Sequence, residues 1–216
     1  MMILAYHSIL DNKDDLHSMH PDKFRDDMNW LSDNGYRCVN LGDYMLEANL
    51  TGLPKKTLIL TFDDGFRDFI DNAFILLRDL KFSATLFIVA ELVGGVSEWR
   101  SKEFRYKLMS WDNISMLDSL GFRIGSHGLR HKRLIELNKK GMEHEIIDSK
   151  KMIEEHIGRP VLSFSYPWCV FDNEVRSIVR NANYRYAVAG DNGNSGLLSL
   201  KRRPVHIDES VRDFLK

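Results

Sequence analysis

Two adjacent carboxylates, Asp63 and Asp64, follow the apolar run Thr57-Leu58-Ile59-Leu60 within the stretch Thr61-Phe62-Asp63-Asp64-Gly65. Buried charges rarely stand without a partner, so a carboxylate pair closing a strand-like run calls for a cation, a shared proton or open water. Further along, Ser126-His127-Gly128-Leu129-Arg130-His131 offers two imidazoles four positions apart. Imidazole nitrogen and carboxylate oxygen both bind a zinc-like ion, at ~2.0–2.2 Å. His127 and His131 can face one ion from a turn or a first helical turn, and Asp64 completes a two-His, one-carboxylate set with positions left open. Such an ion polarises a carbonyl and acidifies water. Asp63, beside a ligand without being one, is the natural general base.

Each half of that set has an ordinary explanation by itself. An Asp-Asp pair after a strand is usually a turn or a helix cap, and a lone His-x-x-x-His is usually structural. Their joint occurrence after two β-like runs argues for chemistry. Tyr166-Pro167-Trp168 follows a third such run, His206 comes late in a fourth, and His7 ends the first. Trp99, Trp111 and Trp168 are candidate sugar platforms; outside a motif, a tryptophan is more often core. His17, His20, His144 and His156 lack supporting context and read as surface residues.

The elements that must position these groups alternate in type. Strand-like runs are expected at Met2 to Tyr6, Arg37 to Leu41, Thr57 to Phe62, Ser83 to Val89, Phe122 to Gly125, Val161 to Tyr166, Tyr184 to Ala189 and Arg203 to Ile207. Phe24, Met28 and Leu31 predict a helix over Asp22 to Asn34. Further helices are expected at Arg67 to Leu80, Trp111 to Leu120, Met142 to Ile157 and Asn173 to Asn181, the long one ended by Gly158 and Pro160. This βα alternation implies a mainly parallel sheet or barrel, in which sites gather at the carboxyl ends of the strands. The loop Leu92 to Phe104, with Gly94-Gly95 and Trp99, is long enough to suggest a functional role.

The 216 residues are 44% hydrophobic and 28% charged, as in a soluble globular protein, and are read as one domain over residues 1–216. A net charge of −1 gives no sign of nucleic-acid binding. Cys38 and Cys169 form no CxxC pair, which excludes a thiolate zinc site and a disulfide framework. The N-terminus is apolar but short and lacks a basic region, so it reads as a strand rather than a leader. No run is long enough to span a membrane. A cytoplasmic location is expected.

The motifs resemble those of the polysaccharide deacetylases, the NodB-homology group or carbohydrate esterase family 4. Thr61 to Gly65 matches TFDDG letter for letter. His127 and His131 match the His-Ser/Thr-x-x-His motif, with Gly128 at the hydroxyl position, and Ser165-Tyr166-Pro167-Trp168 resembles Arg-x-Pro-Tyr. Tyr6-His7 and Gly35-Tyr36 also look like one branch of the family, and the likeness runs from about Ile3 to Ile207. The resemblance implies a distorted (β/α) barrel of about seven units and metal-dependent release of acetate from an N-acetylated amino sugar. Carried over by position, Asp63 is the base, and Asp64, His127 and His131 hold a divalent metal: zinc first, with cobalt, nickel, iron or manganese as substitutes. The Trp168 backbone N–H then assists the oxyanion and His206 is the general acid; from the residues themselves, His7 at the end of the first strand is a second acid candidate, and Tyr166 and Trp99 are candidate saccharide contacts.

Two departures from the family's third motif matter. Ser165 stands where the family has an Arg that pairs with the catalytic Asp, and without a cation the pKa of Asp63 should rise. Arg203, or Arg130, is the expected substitute. Cys169 replaces a usual Gly and reads as packing. Rival readings are an O-acetyl esterase with the same site, a saccharide-binding member that has lost catalysis, and a non-haem iron oxygenase. The βα alternation opposes the last.

Overall fold

The computed structural model describes residues 2–50 and 55–215. Its eight strands are β1 (Ile3–Tyr6), β2 (Arg37–Val39), β3 (Thr57–Phe62), β4 (Thr85–Ile88), β5 (Arg123–Ser126), β6 (Ser163–Ser165), β7 (Tyr186–Val188) and β8 (Arg203–Pro204). All pair in parallel, in the order β7-β6-β5-β4-β3-β1-β8. One flank of β3 is shared: β2 pairs with Thr57 to Ile59 and β4 with Thr61 and Phe62. The result is a curled sheet with helices outside, the distorted barrel that the motifs implied.

The helices are α1 (Pro21–Asp33), α2 (Leu41–Leu50), α3 (Ile75–Asp79), α4 (Trp111–Ser119), α5 (Lys139–Glu143), α6 (Ser149–Ile157) and α7 (Asn173–Asn181). In α1, Phe24, Met28 and Leu31 are buried, Pro21 occupies the first turn, and the His20 side chain accepts the Asp22 N–H. Ser110 and Asn113 close a capping box on α4, and Gly158 ends α6 in the left-handed conformation. The helix expected from Arg67 begins with a π-helical stretch over Phe69–Phe74, and a second one, His144–Asp148, joins α5 to α6.

Two expectations are corrected. Helix α2 was not anticipated: of its described side chains only Leu41 and Met45 are buried, too sparse a stripe to register as a period. The last strand stops at Pro204 instead of running to Ile207. Pro204 has no N–H to continue a ladder, although the Val205 N–H still donates to Ala5 O at 3.0 Å.

Side chains alternate across a strand, and here the two faces form separate clusters. Leu4, Tyr6, Leu60, Phe62, Leu86, Ile124, Phe164 and Tyr166 pack outward against the helices. Ile3, Ile59, Phe87, Val188 and Leu200 fill the interior together with Val39, Leu41 and Met45. That interior is full: a Cβ on Gly125 would stand 2.5 Å from the Phe87 ring. Continuing the inward set toward the carboxyl ends reaches His7, Asp63, His127, Ser165 and Arg202. The segment 197–205 spans the sheet's edges, with the Leu200 N–H on Ala187 O at 2.8 Å and the Ala189 N–H on Leu200 O at 2.9 Å. No helix among the described residues is long and apolar enough to cross a membrane.

Candidate active site

Strict alternation would put Asp63 and Asp64 on opposite faces. Asp64 instead adopts φ = 74°, a left-handed conformation that Asp tolerates better than most residues. This rolls its carboxylate back to the side of Asp63. Gly65 follows at φ = 73°, where any side chain would be strained. His127 ends the inward row of β5. Of the two expected arrangements, a turn or a first helical turn, it is a non-helical loop that brings His131 round, with Gly128 at φ = 80° and His131 at φ = 58°. The buried Glu145 carboxylate holds that loop by accepting the N–H groups of Leu129 (2.9 Å) and Arg130 (3.0 Å). A Cβ at Gly128 would meet that carboxylate at 2.9 Å, which explains a Gly where the motif usually has Ser or Thr.

Asp64, His127 and His131 converge, each buried and with ligand atoms within 4.8 Å of one another. Asp64 Oδ1 lies 3.5 Å from His127 Nε2 and 3.4 Å from His131 Nε2. Oxygen and nitrogen donors ~2.1 Å from a tetrahedral ion stand ~3.4 Å apart, so these separations fit a divalent cation. The electrostatics agree. Asp64 Oδ1 is buried with no hydrogen-bond partner, and burial, then neighbouring Asp63, push its carboxyl well above the usual carboxylate range. Burial holds both imidazoles below their ordinary value, in the neutral form that ligates metals. His127 Nδ1 donates to Ser165 O at 2.8 Å, which leaves Nε2 free to bind.

Arg203 is not the cation that faces Asp63. Its guanidinium pairs with Glu209 and lies over Phe214. Arg130 is held by Glu91 through two hydrogen bonds. The partner is Arg202, fully buried on the inward side of the closing segment. Its two terminal nitrogens grip the Asp63 oxygens at 2.7 Å each, and the remaining donors reach Thr61 Oγ1 (3.2 Å), Ser165 Oγ (3.0 Å) and Ala189 O (2.8 Å). All five guanidinium donors are engaged. Ser165 also donates to Asp63 Oδ2 at 3.1 Å, so the small residue at the motif's Arg position leaves room for an Arg from the closing segment. Burial pushes the Asp63 carboxyl up, but Arg202 and His127 outweigh it and hold it far below the usual carboxylate range. Strand parity carried the missed signal: moving from Arg203 to Arg202 moves the side chain from the outer to the inner face.

A cavity of about 400 Å3 opens over this constellation, and His7, His17, His206, Trp99 and Trp168 line it. The His7 ring stands 4.7 Å from His17, and His17 stands 6.2 Å from His206. His17 therefore belongs to the cavity wall and not merely to the surface. Burial lowers the His7 imidazole to about 3, against the pull of Asp63. Trp99 stacks on His131 at 4.6 Å, and Trp168 meets the same ring edge-on at 5.0 Å while its Nε1–H donates to His131 O. Trp168 lines the cavity and is 43% exposed, with the Arg133 guanidinium 4.9 Å from its ring centre. Trp168 and Cys169 both have positive φ, a strain that tends to cluster at functional sites. Tyr166 only edges the cavity: its ring is buried against Phe171 at 4.3 Å and its hydroxyl donates to Leu198 O. Trp111 lies elsewhere, stacked on His156 at 3.8 Å.

The chain leaving β1 is tied down by Asp68, which accepts the Ser8 hydroxyl at 2.9 Å and the Ile9 N–H at 2.8 Å. Burial pushes this carboxyl up to about 6. The folded state then binds the proton more tightly than the unfolded chain, so stability falls as pH rises from about 4 to about 6. Asp68→Asn keeps an acceptor for Ile9 and a polar contact for Ser8. It is expected to remove up to about 3 kcal/mol of that fall, read from urea midpoints at about pH 4.5 and about pH 7.5. The same difference in both proteins would assign the fall to another group.

A sequence profile described as polysaccharide deacetylase matches residues 51–187. YxkH of Bacillus subtilis, named for the polysaccharide deacetylases, is 28% identical over 93% of this chain and 69% of its own length. The poly-beta-1,6-N-acetyl-D-glucosamine N-deacetylase of Staphylococcus aureus is 20% identical over 79% of this chain, and the match spans 60% of that enzyme. Among solved structures, the Streptococcus pyogenes deacetylase PplD superimposes with a TM-score of 0.84 at 24% identity, covering 97% of this chain and 94% of that one. A Bacillus cereus polysaccharide deacetylase does so with a TM-score of 0.81 at 25% identity, covering 99% and 67%.

Proposed function

Because this chain belongs to the polysaccharide deacetylase family, we propose that it hydrolyses the N-acetyl group of an amino sugar in a poly- or oligosaccharide or a glycan precursor, using a divalent cation held by Asp64, His127 and His131. The observation that carries the reading is the convergence of those three ligand atoms beside an Asp63 kept ionised by Arg202. A bound cation, zinc before its first-row neighbours, supplies Lewis acidity toward the acyl oxygen and toward water.

The chain's own groups divide the remaining work. Asp63 accepts the proton of the attacking water. The Trp168 backbone N–H faces the negative charge that develops on the acyl oxygen. A histidine hands a proton to the departing amine, so that water and amide become acetate and amine. His206 and His7, which both border the cavity, are the two candidates; His7, held neutral by burial, can serve only after it takes up a proton during the reaction. Trp99 and Trp168 flank the saccharide. The binding-only reading drew on the missing motif Arg, and Arg202 removes that reason.

Zinc-loaded protein is expected to release acetate from at least one of a panel of N-acetylated oligosaccharides, with acetylated xylan run in parallel for the ester alternative. Chelation should silence it and zinc restore it. Asp64→Asn should lower the bound metal measured by elemental analysis. No acetate from any amide, with metal bound, would sink the reading.

A further inference from the structure

The net charge of −1 conceals a strong segregation of charge at the barrel's other end. Three adjoining hollows of about 530, 470 and 420 Å3 lie around the amino-terminal ends of β5, β6 and β7, away from Asp63. Arg185 lines all three; Pro160 and Leu162 join the first two, and Arg180 and Tyr184 the last two. Their walls carry the six cations Arg123, Lys150, Arg159, Arg176, Arg180 and Arg185, against the carboxylates Asp43 and Glu154.

Half of those cations are matched. Arg123 pairs with Asp43, Lys150 with Glu154, and Arg159 with Asp118. The other three have no carboxylate partner among the described residues; Arg176 reaches only the Asn173 side-chain oxygen. Arg176 and Arg180 lie four apart on α7, hence on one face, and Arg185 continues the row after the helix. Arginines left unpaired along a concave track are unusual for a solvated face, where ions of both signs normally intersperse. Guanidinium forks match phosphate, sulfate and carboxylate oxygens, and the half-buried Tyr186 offers a ring beside them.

We propose that this groove is a second binding site for a linear polyanion, an acidic glycan chain bearing repeated phosphate, sulfate or carboxylate groups. It holds the chain by Arg176, Arg180 and Arg185, none of which lines the catalytic cavity. Its concavity and linked hollows suit a strand of repeating units better than a flat lipid surface. The site is independent of the proposed hydrolysis, so each can fail alone.

The probe is fluorescein-labelled dextran sulfate, with uncharged dextran as its control, followed by anisotropy over a salt series with the full chain. Wild type is expected to bind the sulfated chain and not the neutral one, with a Kd that rises steeply with salt. Arg180→Gln/Arg185→Gln, both exposed, should weaken binding at least tenfold and reduce the log–log salt slope by one to two. Arg180→Lys/Arg185→Lys should restore most of the slope, and zinc binding should be the same in all three proteins. Unchanged affinity in the Gln pair overturns the proposal, as does equal binding of neutral dextran. Tighter binding to phosphatidylglycerol vesicles or to a DNA duplex than to dextran sulfate would replace the acidic glycan with that ligand.

Discussion

Asp63→Asn is expected to lower the kcat of acetyl release by roughly 10³-fold, within the range that a positioned general base contributes. Asn is nearly isosteric and its Oδ1 can still accept from Arg202, so the metal content should survive, although the unmatched buried guanidinium should lower the melting temperature. Asp64, His127 and His131 keep their places because none of them depends on Asp63 for a hydrogen bond. The expected pattern is therefore a loss in kcat, little change in KM, and metal stoichiometry equal to wild type. Asp64→Asn should instead lose metal and activity together. The contrast separates two neighbours that a strand would ordinarily have sent to opposite faces. If the Asp63→Asn protein turns over as fast as wild type, Asp63 is not the base.

Arg202→Met should be the most damaging substitution to stability. Arg202 is 1% exposed, and its five donors tie the carboxyl end of β3 to Ser165 on β6 and Ala189 beyond β7. Removing one member of a buried ion pair strands the other charge and costs roughly 3–5 kcal/mol. For a chain of this size that corresponds to a drop in Tm on the order of 10 °C. Activity should fall with it, because Asp63 loses the cation that keeps it ionised. Asp63→Asn/Arg202→Met should be more stable than Arg202→Met alone, since no carboxylate is then left unpaired. Arg202→Lys keeps the charge but not the fork, and should fall between wild type and Met. An Arg202→Met protein with wild-type melting and turnover would show that Asp63 is held by something else, whereas Arg203→Met, which frees the half-exposed Glu209 and gives up the contact with Phe214, should cost far less.

Much of the architecture was legible because its signals are local. The apolar runs at Thr57 to Phe62 and Ser83 to Val89 and the stripe Phe24, Met28, Leu31 read directly as strand and helix, and their alternation implied parallel strands with the site at the carboxyl ends. Helix α2 escaped because Leu41 and Met45 meet Ile3 and Ile59, residues distant in sequence, rather than forming a stripe of their own. In the site, spacing alone singled out Asp63, Asp64, His127 and His131.

What spacing could not supply was direction. Whether Asp64 points with Asp63 or away from it depends on a single left-handed residue, and His131 reaches Asp64 only because Glu145 anchors the intervening loop. The choice between Arg202 and Arg203 turns on how the closing segment meets β7 and β1, and the contact with β1 joins residues nearly a full chain apart. By itself the sequence determined which residues can do chemistry and at which end of which strand they stand, because strand period and motif spacing are properties of short stretches. Only the tertiary structure decided which cation faces Asp63, which histidines share its cavity and where unpaired arginines collect. Those outcomes depend on how distant segments close on one another, and a one-residue shift in register reverses the face on which a side chain lies.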